Sequence, residues 1–328
     1  MAAAQFFKYH DKPKWYSKHQ LASKIKCEIA KLNRLDNWHG ILQLLEDWGW
    51  IAFAISSSLW TWEYAPLGFS LLVYCLAVFV IGARQRGLRV INHQATHKAL
   101  AKNKVLNFCL ATLFGTWLVL ESYTGYDDTH NSKYNGHHAN LGTENDVDHR
   151  SVVKQGLYDE NISSEDVKKY LLSIPFQTPQ YILFLLQNRI WNPQESKIER
   201  VVRLVFFGMV SGISIYLGWS LFFLLYWLVP LFTTANWIGS FIQLAEHYPL
   251  ISTAIPIDIN LSRNRILSPF LNVFLGTHNE GYHLVHHLFP RLPFWSLKKA
   301  HSILMQDTAY ADLHRKVGLV NLIKELAG

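Results

Sequence analysis

Cysteine is scarce in this chain. Cys27, Cys75 and Cys109 are the only ones in 328 residues, too few and too scattered for a disulfide framework or a zinc knuckle. Charge is missing from three long stretches: Trp48 to Trp62, Tyr64 to Ala83 and Leu204 to Ala245 carry no ionised side chain. A transmembrane helix needs roughly 20 mostly apolar residues, so the last stretch is about two spans long and the first two read as single spans. The start, Met1 to Lys8, lacks the charged-then-apolar order of a signal peptide, so insertion is expected to rely on the internal spans. Neither an internal repeat nor a low-complexity linker is visible, and residues 1–328 are read as one domain.

What is present is a basic excess, 31 Lys and Arg against 24 Asp and Glu, placed beside the apolar runs. Lys8, Lys12, Lys14, Lys18, Lys24, Lys26 and Lys31 precede the first span, and Arg84, Arg86 and Arg89 follow the second. Such placement favours a membrane surface over nucleic acid, and the positive-inside rule makes both flanks cytoplasmic. Residues 1–47, with Ile25, Ile29 and Leu32 at helical spacing, are expected to lie on that interface. Residues 48–83 form one hairpin turning at Glu63 to Pro66, and residues 204–245 form a second turning near Gly218. Between them, His149 to Arg203 regains charge and is broken by Pro175, Pro179 and Pro193, as suits short interfacial helices. The fold class expected is therefore an all-α, multi-pass integral membrane protein: four transmembrane helices in two hairpins, with both termini and a helical cap on the cytosolic side.

The cap carries the chemistry. Of 16 histidines, His283, His286 and His287 stand at i, i+3 and i+4, so on a helix their rings project from one face and can converge on a metal. His93 and His97 form an i, i+4 pair; His137 and His138 are adjacent, with His130 about two helical turns earlier. These share a face only if the helix runs on through Asn135 and Gly136. Gln243 and His247 form a last i, i+4 pair at the inner end of the fourth span. Alone, the triplet reads as a metal site ahead of a His-rich polar surface, the His93–His97 pair is evenly balanced between ligands and interfacial residues, and His247 reads rather as interfacial; two hairpins with short outer turns bring them all to one side. Nine imidazoles exceed the needs of one zinc ion. They suit two iron ions that activate dioxygen against an unactivated C–H bond. His278 falls off the triplet's face, and His149, His301 and His314 have no partner at ligand spacing. Asp146, Asp148, Glu246 and Glu280 are candidates to accept the second ring N–H of a ligand.

The boxes His93-x3-His97, His137-His138 and His283-x2-His286-His287, in this order around two hairpins, resemble those of the membrane fatty-acid desaturase and hydroxylase superfamily; the likeness runs from about Trp48 to His301. The resemblance implies a four-span bundle under a cytosolic cap with a non-haem di-iron centre held by His93, His97, His130, His137, His138, His247, His283, His286 and His287. Gln243 stands where the family has an Asn in water-mediated contact with the metal. One departure is clear: positions that usually hold an earlier histidine of the second box hold Lys133 and Tyr134. Either His130 substitutes across a local insertion or one iron lacks a ligand. The activity implied is an oxygen-dependent fatty acyl desaturase, acting on an acyl lipid or acyl thioester; a hydroxylase or ketolase of an acyl chain or carotenoid is the alternative within the fold. A metal transporter or receptor is the alternative outside it, disfavoured because the histidines lie beyond the spans. No haem domain is visible, so electrons are expected from a separate ferredoxin or cytochrome, docking near Arg291, Lys298 and Lys299.

Overall fold

The computed structural model describes residues 14–134, 136–159, 162–314 and 318–327; Lys8 and Lys12 of the basic N-terminal run, and Asn135 of the second box, lie outside them. These residues are helical throughout apart from connections and one isolated bridge, Ser17 with Ile257. In chain order the helices are α1 Ser23–Ala30, α2 His39–Tyr64, α3 Leu67–Thr96, α4 Lys104–Thr112, α5 Tyr123–Asn131, α6 His137–Asn140, α7 Val147–Lys154, α8 Ser164–Ser173, α9 Thr178–Phe184 and α10 Lys197–Tyr216. They continue with α11 Ser220–Phe223, α12 Val229–Phe232, α13 Thr234–His247, α14 Leu250–Thr253, α15 Pro269–Leu275, α16 His283–Leu288, α17 Phe294–Leu304, α18 Thr308–Asp312 and α19 Leu319–Ala327.

The first hairpin turns where expected. α2 ends at Tyr64, Ala65 is extended, and Pro66 precedes α3 with the fixed φ a helix start tolerates. Helices α2 and α3 pack through Leu44, Ile51, Ala54, Ala77 and Ile81, while Phe53, Trp60, Phe69, Leu72 and Leu76 stay exposed on the outside. An apolar outer face of this extent is what a helix presents to lipid rather than to water. At 30 residues, α3 is about 45 Å long, well beyond the roughly 30 Å hydrocarbon thickness. Its C-terminal half from Ile81 is accordingly enclosed by protein and carries the first histidine box out of the apolar layer.

The second turn is at Gly218, whose φ of 71° lies in the left-handed region that favours glycine. A π-helical segment, Leu224–Leu228, and Pro230 then interrupt the chain before α13.

Two stretches among the described residues are long and apolar enough to cross a membrane, Leu67–Thr96 and Ser220–Thr253. A third candidate is bent by 97° between Lys104–Val119 and Tyr123–Asn131. α2 and α10 have the length of spans but fall outside this set. Ser56, Ser57, Ser58 and Thr61 dilute α2, and Lys197, Glu199, Arg200 and Arg203 crowd the start of α10.

The N-terminal helix α1 does more than lie on an interface. It buries Ile25 and Ile29 against Leu284, Val285, Phe294 and Leu297, beneath the third box.

One buried ionic knot pins the cap to the first hairpin. Asp47 accepts from Arg84 at 3.2 Å and from His278 at 2.8 Å, and all three side chains are fully buried. Gly87 is required beside it, since a Cβ there would stand 2.6 Å from the Asp47 carboxylate. Removing one partner of such a group leaves an uncompensated buried charge. Asp47→Asn is therefore expected to cost about 3–5 kcal/mol of stability, read as a lowered unfolding midpoint in detergent. Burial pulls the His278 imidazole down, but the Asp47 carboxylate holds it above its usual value. The pair's contribution should then be fully present below about pH 6.5 and decline as pH rises through the higher folded value.

Candidate metal centre

Five helices deliver histidines to one enclosed space at the end of the bundle. His93 lies in the last turn of α3, with His97 capping its C-terminus; His130 comes from α5, His137 and His138 from α6, His247 from α13, and the third box from α16. The positioning is local as well as global. α5 starts at Ser122, whose hydroxyl accepts from Gly125 N, and Glu199 of α10 accepts from Tyr123 N at 2.7 Å and Thr124 N at 2.8 Å. A carboxylate at that helix N-terminus suits the macrodipole and fixes the helix that presents His130. Asp146 caps α7 by accepting from Asp148 N and His149 N.

The imidazoles fall into two groups, each with its ring nitrogens within 4.8 Å of one another. One contains His93, His97, His130, His138 and His286; the other contains His137, His247, His283 and His287. In the first, Nε2 of His93 lies 2.7 Å from Nε2 of His130 and 2.9 Å from Nε2 of His286, which is 3.0 Å from Nε2 of His138. In the second, Nε2 of His247 lies 3.2 Å from Nε2 of His137 and 3.0 Å from Nε2 of His283.

The split refines the spacing argument. Adjacent residues on a helix point about 100° apart, so His137 and His138 serve different groups, as do His286 and His287. The third box does not converge on a single point: His283 and His287, at i and i+4, face one group and His286 the other. His130 joins the first group, but not along one continuous helix face. α5 ends at Asn131 and α6 begins at His137, so His130 and His138 arrive from two separate helices.

A neutral imidazole has one donor and one acceptor nitrogen, so a set of mutually facing Nε2 atoms cannot all be satisfied by hydrogen bonds among themselves. Nε2 of His97 is buried with no hydrogen-bond partner among the described residues. Burial, with Lys98 and Arg291 close by, pushes His97 down to about 3. Burial and neighbouring imidazoles hold His138, His283, His286 and His287 well below the usual histidine value. Rings kept neutral, with convergent lone pairs, are what a first-row transition metal needs.

His137 differs. Burial would depress it, but the Asp146 carboxylate, 2.9 Å from Nδ1, raises it to about 9. The same bond leaves Nε2 facing the second group, the arrangement in which a carboxylate fixes ring orientation and strengthens a ligand.

The other anticipated outer partners are placed as follows. Asp148, half exposed, stands 3.8 Å from the same Nδ1. Glu246 lies 3.4 Å from His283 Nδ1 and takes a 2.8 Å bond from Arg265. Glu280 is instead enclosed by Arg86 and Arg265, without an imidazole against it among the described residues. Gln243 donates to the Asp148 carbonyl at 3.3 Å. Sequence reasoning missed the Leu261 carbonyl, 2.9 Å from His247 Nδ1, and Tyr126, whose ring stacks on His130 at 5.0 Å. A backbone carbonyl leaves no signal in sequence, whereas Tyr126 and His130 at i, i+4 were readable. His278 belongs to the Asp47 knot, and His301 and His314 pack with Tyr310 outside both groups.

The fatty acid desaturase family model matches residues 69–317, and the chain belongs to that family. It is 33% identical over 311 residues to the dihydrorhizobitoxine desaturase of Bradyrhizobium elkanii, covering 90% of this chain and 83% of that protein. It is 24% identical over 299 residues to a fatty acid desaturase of Bacillus subtilis (strain 168), covering 84% and 79%. The sn-1 acyl-lipid omega-3 desaturase (ferredoxin) of Nostoc sp. (strain 36) is 23% identical over 267 residues, covering 76% and 70%. Membership makes the chain a membrane-associated oxidoreductase whose buried histidine groups suit a metal site.

Asp146→Asn keeps the cap of α7 but removes the charge from His137. The expected result is a 10- to 100-fold, order-of-magnitude loss of metal affinity in chelator competition, with helix content unchanged.

Proposed function

We propose that this protein is an oxygen-dependent, di-iron desaturase that introduces a C=C bond into a fatty acyl substrate. The observation that carries the reading is the separation of the histidines into groups of five and four, each made of imidazoles alone among the described residues. Zinc takes four ligands in closed sites, and one zinc would leave the larger part of this cage unused. When bound, the two irons would supply the reduction of dioxygen and the removal of hydrogen from two adjacent carbons.

The protein's own residues have distinct tasks. His93, His97, His130, His138 and His286 would hold one ion, and His137, His247, His283 and His287 the other, with Gln243 near the second group. Asp146, Glu246 and the Leu261 carbonyl orient His137, His283 and His247 through their Nδ1 atoms. The surrounding shell of Leu284, Val285 and Phe294 excludes water from the third box.

In this reading α2, α3, α10 and the stretch beginning at α11 form four spans in two hairpins, residues 1–328 form one domain, and the cap faces the cytoplasm with both termini. The exposed apolar faces of α2 and α10, including Trp60, Val205, Met209 and Ile213, favour it. A substrate would enter from lipid, and a separate ferredoxin or cytochrome would supply electrons, as a relative's name indicates for that relative.

The test is expression in a host with simple lipids, with extracted fatty acids compared by mass spectrometry. A new unsaturated species is expected, together with its loss in His286→Ala and in His130→Ala. An unchanged profile, or full turnover without either histidine, would count against the assignment. Arg291, Lys298 and Lys299 are exposed. Reduction by the donor is expected to slow as salt rises from about 0.01 to 0.15 M, where the screening length falls from roughly 30 to 8 Å. A K298E/K299E variant should lose most of that dependence. A salt-independent rate would remove the docking face from consideration.

A further inference from the structure

Four aromatic rings run in file from the surface of the cap to the first histidine group. Trp38, the residue before α2, stacks on His39 with ring centroids 3.6 Å apart. His39 in turn stacks on Trp295 of α17 at 4.5 Å, with the planes 7° from parallel. Trp295 is joined through the chain to Phe294, which is 1% exposed. The Phe294 ring meets His93 at 5.4 Å and His286 at 5.1 Å, both in T-shaped contact. The file therefore begins at a ring that is 53% exposed and ends on two imidazoles of the first group.

Packing alone does not account for this file. Stacked rings stabilise a fold by burying apolar surface, yet Trp38 keeps half of its surface in water. The ring in the middle is polar, and Asp36 Oδ2, 2.6 Å from His39 Nδ1, fixes its orientation between the two indoles. Trp38 is not placed to anchor α2 at a membrane interface either. Asp47, nine residues further on, already lies in the buried knot of the cap, and at 1.5 Å per residue Trp38 stands about 13 Å farther from the apolar layer. Gly40 rests against the Leu100 carbonyl, beyond the end of α3, so the start of α2 is level with His93 and His97.

The surface around Trp38 is cationic. Lys31 and Arg34 lie in the connection that Ser296 holds by donating to the Leu32 carbonyl at 3.2 Å. Lys102 donates its backbone N–H to the Asp36 carbonyl at 2.8 Å, and Lys298 and Lys299 follow Trp295 by three and four residues, on the same face of α17. All five are exposed, and none is ion-paired among the described residues. Asp36 is the one acid within residues 31–40 and 289–299, and it is bound to His39. Of the next acids along the chain, Glu28 lies a turn before Lys31 on α1, and Glu46 pairs with Arg84. An aromatic anchor inside a rim of one charge sign is the anatomy of a surface that receives a protein of the opposite sign. Electron-transfer encounters are small, burying less than about 1,200 Å², so a patch of this kind suffices for one.

We propose that Trp38, ringed by these cations, is the docking point of an acidic one-electron carrier protein, and that the file of Trp38, His39, Trp295 and Phe294 conducts its electrons to the first histidine group. This deepens the desaturase reading and rests on it. Tunnelling falls off steeply with the gap between π systems, and rings in contact keep each gap short. At each encounter the reduced carrier, an iron–sulfur or haem protein, loses one electron, which passes to the iron that the first group holds. The four rings are neither oxidised nor reduced. Two such deliveries, with two protons from water and the two hydrogens taken from the substrate, reduce one dioxygen to two waters as the C=C bond forms.

The probe is a plant-type two-iron ferredoxin, an acidic protein, with the basic cytochrome c as control. In calorimetric titration of the full iron-loaded chain in detergent, oxidised ferredoxin should bind and cytochrome c should not. Trp38→Ala should weaken ferredoxin binding about tenfold, as loss of a central aromatic anchor does. In anaerobic stopped flow at saturating reduced ferredoxin, Trp295→Leu should lose most of the transfer rate. Its affinity for ferredoxin, its iron content and its full reduction by dithionite should stay as in the wild type. Trp295→Phe keeps a ring in the file and should retain the rate, whereas a stack that only held α2 against α17 would leave the rate at saturation unmoved in either variant. Should Trp295→Leu misfold, His39→Leu interrupts the file one ring farther out, with the same expected loss. Ferredoxin that fails to bind, that binds Trp38→Ala and the wild type alike, or that binds no more tightly than cytochrome c overturns the docking. Wild-type transfer rates in the leucine variants overturn the route. A wild-type chain that takes up no iron yet binds ferredoxin through Trp38 refutes instead the di-iron reading beneath the proposal, and not the docking.

Discussion

The architecture depends on one requirement: nine imidazoles, seven of them buried, must bring their ring nitrogens to within a few ångströms of each other in two groups. No single helix can do this, because side chains one residue apart diverge by about 100°. The solution is convergence from α3, α5, α6, α13 and α16, with α6 and α16 each contributing to both groups. Metal-free, such an arrangement is poor in stabilising terms, since neutral polar rings are desolvated without full hydrogen bonding. Its geometry must therefore be imposed by what lies around it.

The surroundings show how. Asp47 ties α2, α3 and the loop before the third box through Arg84 and His278. Glu199 of α10 anchors the first turn of α5, and Glu195 takes Arg203 at 2.7 Å behind it. Below the third box, α1 and α17 close an apolar layer around Leu284 and Val285. The Asp47 and Glu199 ties each join a helix with an exposed apolar face to one that carries a histidine, so buried charges brace the bundle and the cap together.

The histidine boxes, both hairpin turns and the exclusion of His278 were legible because helical spacing, charge-free run length and Pro or Gly breaks are local properties. Gly218 and Pro66 mark their turns in any context. The division of the rings was less legible: it depends on where α5 stops and α6 starts, and so on tertiary contacts to Glu199 and Asp146 that lie many residues away. The partners of Glu280 and Gln243 were hidden for the same reason, since a carboxylate near a histidine in sequence can be claimed by an arginine from another helix. Run length likewise overstated the membrane signal of α2 and α10, where serines, threonine and terminal charges thin an otherwise apolar surface.

Arg86 and Arg89 illustrate a further limit. As flanking charges after a span they read as interfacial anchors, yet the length of α3 carries them inside the protein, next to the first ligand ring. The same extension that lifts His93 out of the apolar layer places these cationic side chains against Glu280 and Glu121.

The claim at the centre of this description is that the cage holds two irons, each among nitrogen donors. Mössbauer spectroscopy of the purified chain loaded with iron-57 addresses it directly. Two high-spin ferrous sites of equal area, at two irons per chain, with one site's signal lost in His130→Ala, are the expected result. A single iron environment at one ion per chain, or tight retention of one zinc with iron refused, would contradict it.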